Sequence, residues 1–180
     1  MSFDSYCWKQ LLKKDIKYLD KNLLLNNKHT EYLLSNIEIK LFIIVFSLRK
    51  LFDSKKISDK LSNYKIEVKC FERKINKNVT KMNNHCLEDI YNIKKGNKTK
   101  LYIREICNKI IHSYTFQLVV YGKKIRYVYF NSDYNKDKYL YYIRIKDLIN
   151  FVSKVLRENP SKIQFIYKDK LKDYDILVSN

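Results

Sequence analysis

The sequence predicts an α+β fold that is mainly α: a helical bundle over residues 1–114, then a small antiparallel β-sheet and a C-terminal helix over 115–180, read as part of the same domain. Three observations predict it. Apolar residues recur every three or four positions through most of the first 114 residues, the pattern changes to strict alternation after Tyr114, and helical spacing returns between Asp147 and Arg157.

The first helix is expected from Phe3 to about Leu25. Trp8, Leu11, Leu12, Ile16 and Leu19 keep helical spacing, and Lys9, Lys13, Lys14 and Lys17 cover the other side. Such a basic amphipathic helix either turns a solvated lysine face outward or lies on RNA or an anionic membrane. Asn26 to His29 is polar and reads as a turn. A long helix follows from Thr30 to Phe52, in which Leu33, Ile37, Leu41, Ile44, Leu48 and Leu51 step by four and three along one seam. Phe42, Ile43, Val45 and Phe46 widen its apolar surface, so its middle is expected to be covered on two sides, within the bundle or between subunits.

Signals weaken between Asp53 and Thr99. Tyr64 to Phe71 alternates as a short strand, with Tyr64, Ile66, Val68 and Cys70 on one face and Lys65, Glu67 and Lys69 on the other. Residues 72–98 form an irregular basic segment, with 72–86 the least ordered part, and a helical turn from Leu87 to Ile93 is closed by Gly96. The next helix is expected from an N-cap at Thr99 through Tyr114. Thr115 to Tyr121 and Ile125 to Phe130 then make a hairpin around Gly122-Lys123. A third strand covers Tyr139 to Arg144, a helix Asp147 to Arg157, and two short strands Lys162 to Tyr167 and Tyr174 to Val178. The tyrosines of this sheet, interleaved with Lys123, Lys124, Arg126 and Arg144, either stack unpaired bases or lie half-buried along a sheet edge.

The chain has 180 residues, Lys+Arg 37 against Asp+Glu 19, a formal charge of +18 and 46% hydrophobic residues. That composition suits a folded protein whose first candidate partner is a polyanion, nucleic acid before an anionic membrane. Cys7, Cys70, Cys86 and Cys107 are read as reduced thiols of a cytoplasmic protein. His85-Cys86, even with His29, lacks the paired spacing of a zinc site, so neither a metal nor a cofactor is expected. The longest apolar run, Leu41 to Phe46, is too short to cross a bilayer.

Chemistry concentrates in Leu101 to Tyr114. Beside the apolar stripe of Ile103, Ile106, Cys107, Ile110, Ile111 and Tyr114, Arg104, Asn108 and His112 climb one ridge at four-residue intervals. A guanidinium, an amide and an imidazole can hold and cleave a phosphodiester: His112 as base or acid, Arg104 on the phosphate, Asn108 orienting either. An ordinary amphipathic helix has the same polar edge.

The run Cys107-Asn-Lys-Ile-Ile-His112 resembles the core motif of the HEPN superfamily, small α-helical proteins that are often metal-independent ribonucleases of toxin, defence and stress systems. Asn108 and His112 match that motif, Cys107 stands in place of its Arg, and Arg104 lies one turn earlier. Ser47 to Leu61 resembles the end of the preceding long helix in HEPN-like proteins. The resemblance implies a helical bundle and an active cleft built between two protomers.

Two functional readings follow. One is a metal-independent endoribonuclease of a toxin or antiviral defence system, with catalytic His112, Arg104 and Asn108. Because Arg104 and His112 of one helix are about 12 Å apart along its axis, this reading needs a homodimer that brings each His112 to the other copy's Arg104. The other is a non-catalytic basic module that binds RNA or other nucleic acid, or serves as a subunit beside an antitoxin or neighbouring protein. In either, Lys109, Arg49, Lys123, Lys124 and Arg126 are the expected nucleic-acid contacts. Arg49 has two available roles, capping its own helix or reaching toward the later ridge.

Overall fold

The computed structural model describes residues 5–25, 30–75, 77–170 and 172–179. Phe3, the turn at Asn26 to His29 and His29 itself therefore lie outside the described residues. In order, the elements are α1 (Tyr6–Asn22), α2 (Thr30–Asp53), α3 (Asp59–Ser62), β1 (Lys65–Glu72), α4 (Leu87–Ile90), β2 (Asn97–Tyr102), α5 (Ile103–Ile111), β3 (Ser113–Tyr121), β4 (Lys124–Ser132), β5 (Tyr139–Arg144), α6 (Ile145–Arg157), β6 (Lys162–Lys168) and β7 (Asp173–Ser179).

The mainly helical expectation is overturned by the sheet. Strands from both sides of residue 114 join in one antiparallel sheet of order β2-β1-β5-β4-β3, and β6 and β7 form a separate hairpin. A helical bundle with a small sheet attached does not describe this α+β architecture, because the largest core is built between this sheet and the helices. For the same reason the HEPN resemblance fails as a statement of fold: that superfamily is all-helical, and here five paired strands form the centre of the molecule.

Alternation assigns the two faces of the sheet. Ile66 and Val68 of β1, Val128 and Phe130 of β4, and Tyr141 and Ile143 of β5 enter the core shared with the helices. α5 and α6 pack on the sheet, α1 rests on α6, and α2 rests on α1 and α5. Each helix supplies residues at three- and four-residue spacing: Leu12, Ile16 and Leu19 from α1, Ile37, Leu41, Ile44, Leu48 and Leu51 from α2, Ile103, Ile106, Cys107 and Ile110 from α5. Leu11, expected inward, is exposed. Lys9, expected in solvent, is buried and donates through Nζ to the Glu158 carbonyl, closing the end of α6 onto α1.

The helix expected from Thr99 to Tyr114 is only nine residues long. Thr99, Leu101 and Tyr102 belong to β2, where Lys65 pairs with Tyr102 and Val68 with Thr99. Thr99 is therefore no N-cap. Instead Glu105 accepts the Tyr102 N–H at 3.0 Å, satisfying a backbone donor at the start of α5. At the other end Ser113 is already paired with Ser132 of β4.

The segment expected to be irregular, 72–98, covers part of the second sheet face, through Val79 of its least-ordered part and through the expected turn at Leu87. Val79, Leu87, Ile90 and Tyr91 pack on Phe71 and Leu140 in a second apolar cluster, with Tyr129 and Tyr142 at its margin. A buried polar knot fastens it. The Tyr91 hydroxyl donates to the Lys136 carbonyl at 2.7 Å, Asn131 Nδ2 donates to Tyr91 Oη at 2.7 Å, and Asn131 Oδ1 accepts the Thr115 N–H at 3.1 Å.

Gly96 is required by packing against this cluster rather than by the end of a helix. A Cβ there would stand 2.3 Å from Phe71 Cε1, and Phe71 is buried. Gly96→Ala is expected to cost about 1–3 kcal/mol, as overpacking does, read as a lowered midpoint of urea unfolding.

The β6–β7 hairpin touches the body through α3, where Asp59 Oδ2 accepts the Val178 N–H at 3.0 Å, and leaves Phe165, Tyr167 and Tyr174 exposed. No helix among the described residues is long and apolar enough to cross a membrane.

Candidate nucleic-acid interface

The sheet face away from the helices is only partly covered by the 73–96 segment. On the rest of it alternation and register bring basic and aromatic side chains together. Lys65 lies opposite Tyr102, Glu67 opposite Lys100, and Lys69 between Lys98 and Tyr142. Tyr129 stands opposite Tyr142, and Tyr127 opposite Arg144.

The aromatic part is a row. Tyr127 and Tyr142 stack with centroids 4.3 Å apart and planes 20° from parallel, and Tyr129 leans on Tyr142 at 4.9 Å. Burial pushes the Tyr142 and Tyr129 hydroxyls up from their usual range, so both are neutral donors near pH 7. On the far edge strand Tyr102 is 42% exposed, with the Lys65 ammonium 4.5 Å from its ring centroid. Tyr102 and Tyr127 are separated by three strand spacings, about 14 Å.

Five cations, Lys65, Lys69, Lys98, Lys100 and Arg144, share this surface with two carboxylates. Glu67 is bound by Lys98 at 3.0 Å, which holds its carboxyl below the usual range. Asp147 is bound by Arg144 at 2.8 Å, and this bond raises the guanidinium further above its already high value. Toward α6 the surface opens into a cleft of about 540 Å³, lined among others by Lys65, Arg144, Asn150, Lys154 and Arg157. Lys154 Nζ donates to Tyr64 Oη at 2.7 Å, whereas Arg157 has no ion-pair partner among the described residues. The surface can therefore hold phosphates at its cations and bases on its rings.

The predicted contacts divide between this face and others. Lys124 and Arg126 join Tyr127 and Arg144 around a second cleft of about 460 Å³ at the end of the sheet, where Arg126 lies 5.3 Å from the Tyr121 ring. Lys123 is exposed in the adjoining turn, beside Gly122 at φ 61°, and its carbonyl accepts the Leu25 N–H at 2.8 Å. These residues extend the platform. Lys109 and Arg49 lie elsewhere.

The ridge of α5 is divided. Arg104 Nη2 donates to the Phe52 carbonyl at 3.0 Å, and its Nη1 meets Asp53 at 3.3 Å. Arg49 binds the other oxygen of Asp53 at 2.8 Å, so it reaches the later helix through a shared carboxylate. Asn108, Lys109 and His112 instead line a cleft of about 510 Å³ with Glu105, Ser132, Asp133 and Tyr134. Arg104 is not among its lining residues. His112 is the C-cap of α5, its backbone N–H bonded to the Asn108 carbonyl at 3.0 Å. Cys107, at the motif position of an Arg, is wholly buried, and burial pushes its thiol up to about 12.

Sequence reasoning missed Lys65, Lys69, Lys98, Lys100 and Tyr102 as a group, together with Lys154 and Arg157. Alternation in 65–69 marks two of them, Lys65 and Lys69, as outward-facing, and the same alternation continues through Lys98, Lys100 and Tyr102. No protein-family model, curated protein or solved structure matches the chain.

Proposed function

We propose that this chain is a homodimeric basic module that binds single-stranded nucleic acid on the open face of its sheet. The observation that carries this reading is the Tyr127–Tyr142 stack, placed on one surface with Lys65, Lys69, Lys98, Lys100 and Arg144. Bases within a duplex have their faces covered by neighbouring bases, whereas unpaired bases offer a face to aromatic rings. The +18 charge supplies sequence-independent affinity and speeds encounter.

Binding is better supported than cleavage. The endoribonuclease reading needs Arg104 free to meet a phosphate beside the other copy's His112, yet Arg104 is engaged by Asp53 and the Phe52 carbonyl of its own chain.

The test is fluorescence anisotropy with a labelled single-stranded RNA and its duplex over a range of salt. The single strand is expected to bind more tightly, with a slope of log affinity against log salt of about −3, corresponding to roughly four neutralised phosphates. The RNA is expected to remain intact, and His112→Ala to leave binding unchanged. Equal affinity for duplex and single strand, or cleavage abolished by His112→Ala, would count against the module.

A further inference from the structure

The outward side of α2 carries a second row of residues that the core does not use. Tyr32, Ile39, Ile43 and Phe46 are exposed by 74%, 54%, 39% and 56%. With Asn36 and Lys50 they follow one another at steps of four and three, the spacing with which one helix keeps a single side against another. The inner row, from Ile37 through Leu51, is already buried. α1 and α5 flank α2, and no described element packs over its outer row. Phe42 widens this surface toward the sheet by packing on Phe116 of β3 at 4.7 Å.

The arrangement of charge identifies the occupant. Every chain bears +18, so two copies repel except where a surface is uncharged or self-complementary. The outer row has no charged residue from Tyr32 to Phe46. Lys40 is bound by Asp15 and Arg49 by Asp53, and the charges of the helix without an ion-pair partner among the described residues divide along it: Glu31 and Glu38 are exposed in the first half, Lys50 near the end. A parallel neighbour would set like charge against like. A copy related by a two-fold axis across the helix runs antiparallel and sets the acidic half of each α2 against the basic half of the other. Asn36 supplies a single polar position of the kind that selects one register in helix pairs.

We infer that two copies of the chain pair antiparallel through the outer rows of α2, with Ile39, Ile43 and Phe46 of each at the centre of the contact. This rests on the homodimer of the reading above and is independent of its nucleic acid. It also replaces α5 as the pairing helix. The tyrosine platform occupies the opposite side of the sheet from the helices, so pairing through α2 leaves the platforms of both copies uncovered.

Sedimentation velocity of the full chain, from low to high micromolar concentration, tests the inference. The wild-type chain is expected to sediment with the mass of two chains, and Phe46→Lys with the mass of one. Because Phe46 is more than half exposed, this variant is expected to keep the wild-type circular dichroism spectrum and its per-chain affinity for a short single-stranded RNA. In a Cys7→Ser background, Ile43→Cys is expected to form a disulfide-linked dimer under mild oxidation. A wild-type chain of one-chain mass would overturn both the homodimer and its surface. A two-chain mass that persists in Phe46→Lys, with no Ile43→Cys cross-link, would overturn the α2 surface alone.

Discussion

Replacing Tyr102 and Tyr127 together by alanine is expected to weaken single-stranded RNA binding by about 30-fold to 10⁴-fold, since base–aromatic stacking contributes about 1–3 kcal/mol per base. Tyr102 is exposed at the edge strand, and Tyr127, half-buried, ends the aromatic row. Neither belongs to either apolar core cluster. The thermal unfolding midpoint is therefore expected to change little, which separates lost stacking from lost folding. Because the cations remain, the salt slope is also expected to stay close to that of the wild type. Lys69→Ala with Lys100→Ala should do the reverse, reducing the slope by about 1.4 for two lost phosphate contacts. A double tyrosine variant that binds with wild-type affinity would move the binding surface away from this sheet.

Asn131→Ala is expected to destabilise the fold by about 1–3 kcal/mol, because it leaves one buried donor without an acceptor, and a stranded group costs about that much. That donor is the Thr115 N–H, which donates to the Asn131 oxygen; the Tyr91 hydroxyl loses the amide it accepts from but keeps its own bond to the Lys136 carbonyl. Asn131 has no exposed surface, and Tyr91 has none either. Water cannot replace the lost bonds without opening the cluster. The knot fastens the 73–96 segment beside Tyr129 and Tyr142, so the variant should also loosen the margin of the tyrosine platform. Urea unfolding measures the first effect, and amide hydrogen exchange across residues 77–96 measures the second. Protection of those amides equal to the wild type would show that apolar packing alone holds the segment.

Local patterns in the chain revealed most individual elements but not how they assemble. Gly122 between two alternating runs marks β3 and β4, and Ile66, Val68 and Cys70 mark the inner face of β1. The identity of the strand beside β1 is set by pairing of Lys69 to Glu72 with Tyr139 to Tyr142, about seventy positions later. β2 was hidden for a different reason. Leu101 and Tyr102 also fit the spacing of the helix that follows them, and only the β1 partner decides between strand and helix. In the excursion after β1, Leu87, Ile90 and Tyr91 keep helical spacing and mark the turn of α4, whereas Val79 belongs to neither period and its place in the second cluster was obscure.

The candidate site was legible to the same extent. Arg126 and Arg144 among tyrosines are visible in the order of residues, and they do border the platform. The ridge of Arg104, Asn108 and His112 is real in its spacing. Spacing does not show that Asp53, from another helix, holds Arg104 while Asn108 and His112 line a separate cleft.

The pairing of β1 with β5 has a consequence for biosynthesis. A ribosome must deliver the residues up to Arg144 before β1 acquires its inner neighbour, and until then the nascent chain has only β2 to cover one rim of that strand. Contacts between such distant segments close slowly, and an uncovered rim is a template for another nascent chain. Translation at lower temperature, or chaperone supply while β3 and β4 emerge, should therefore raise the soluble yield more than any change to the surface of the finished molecule.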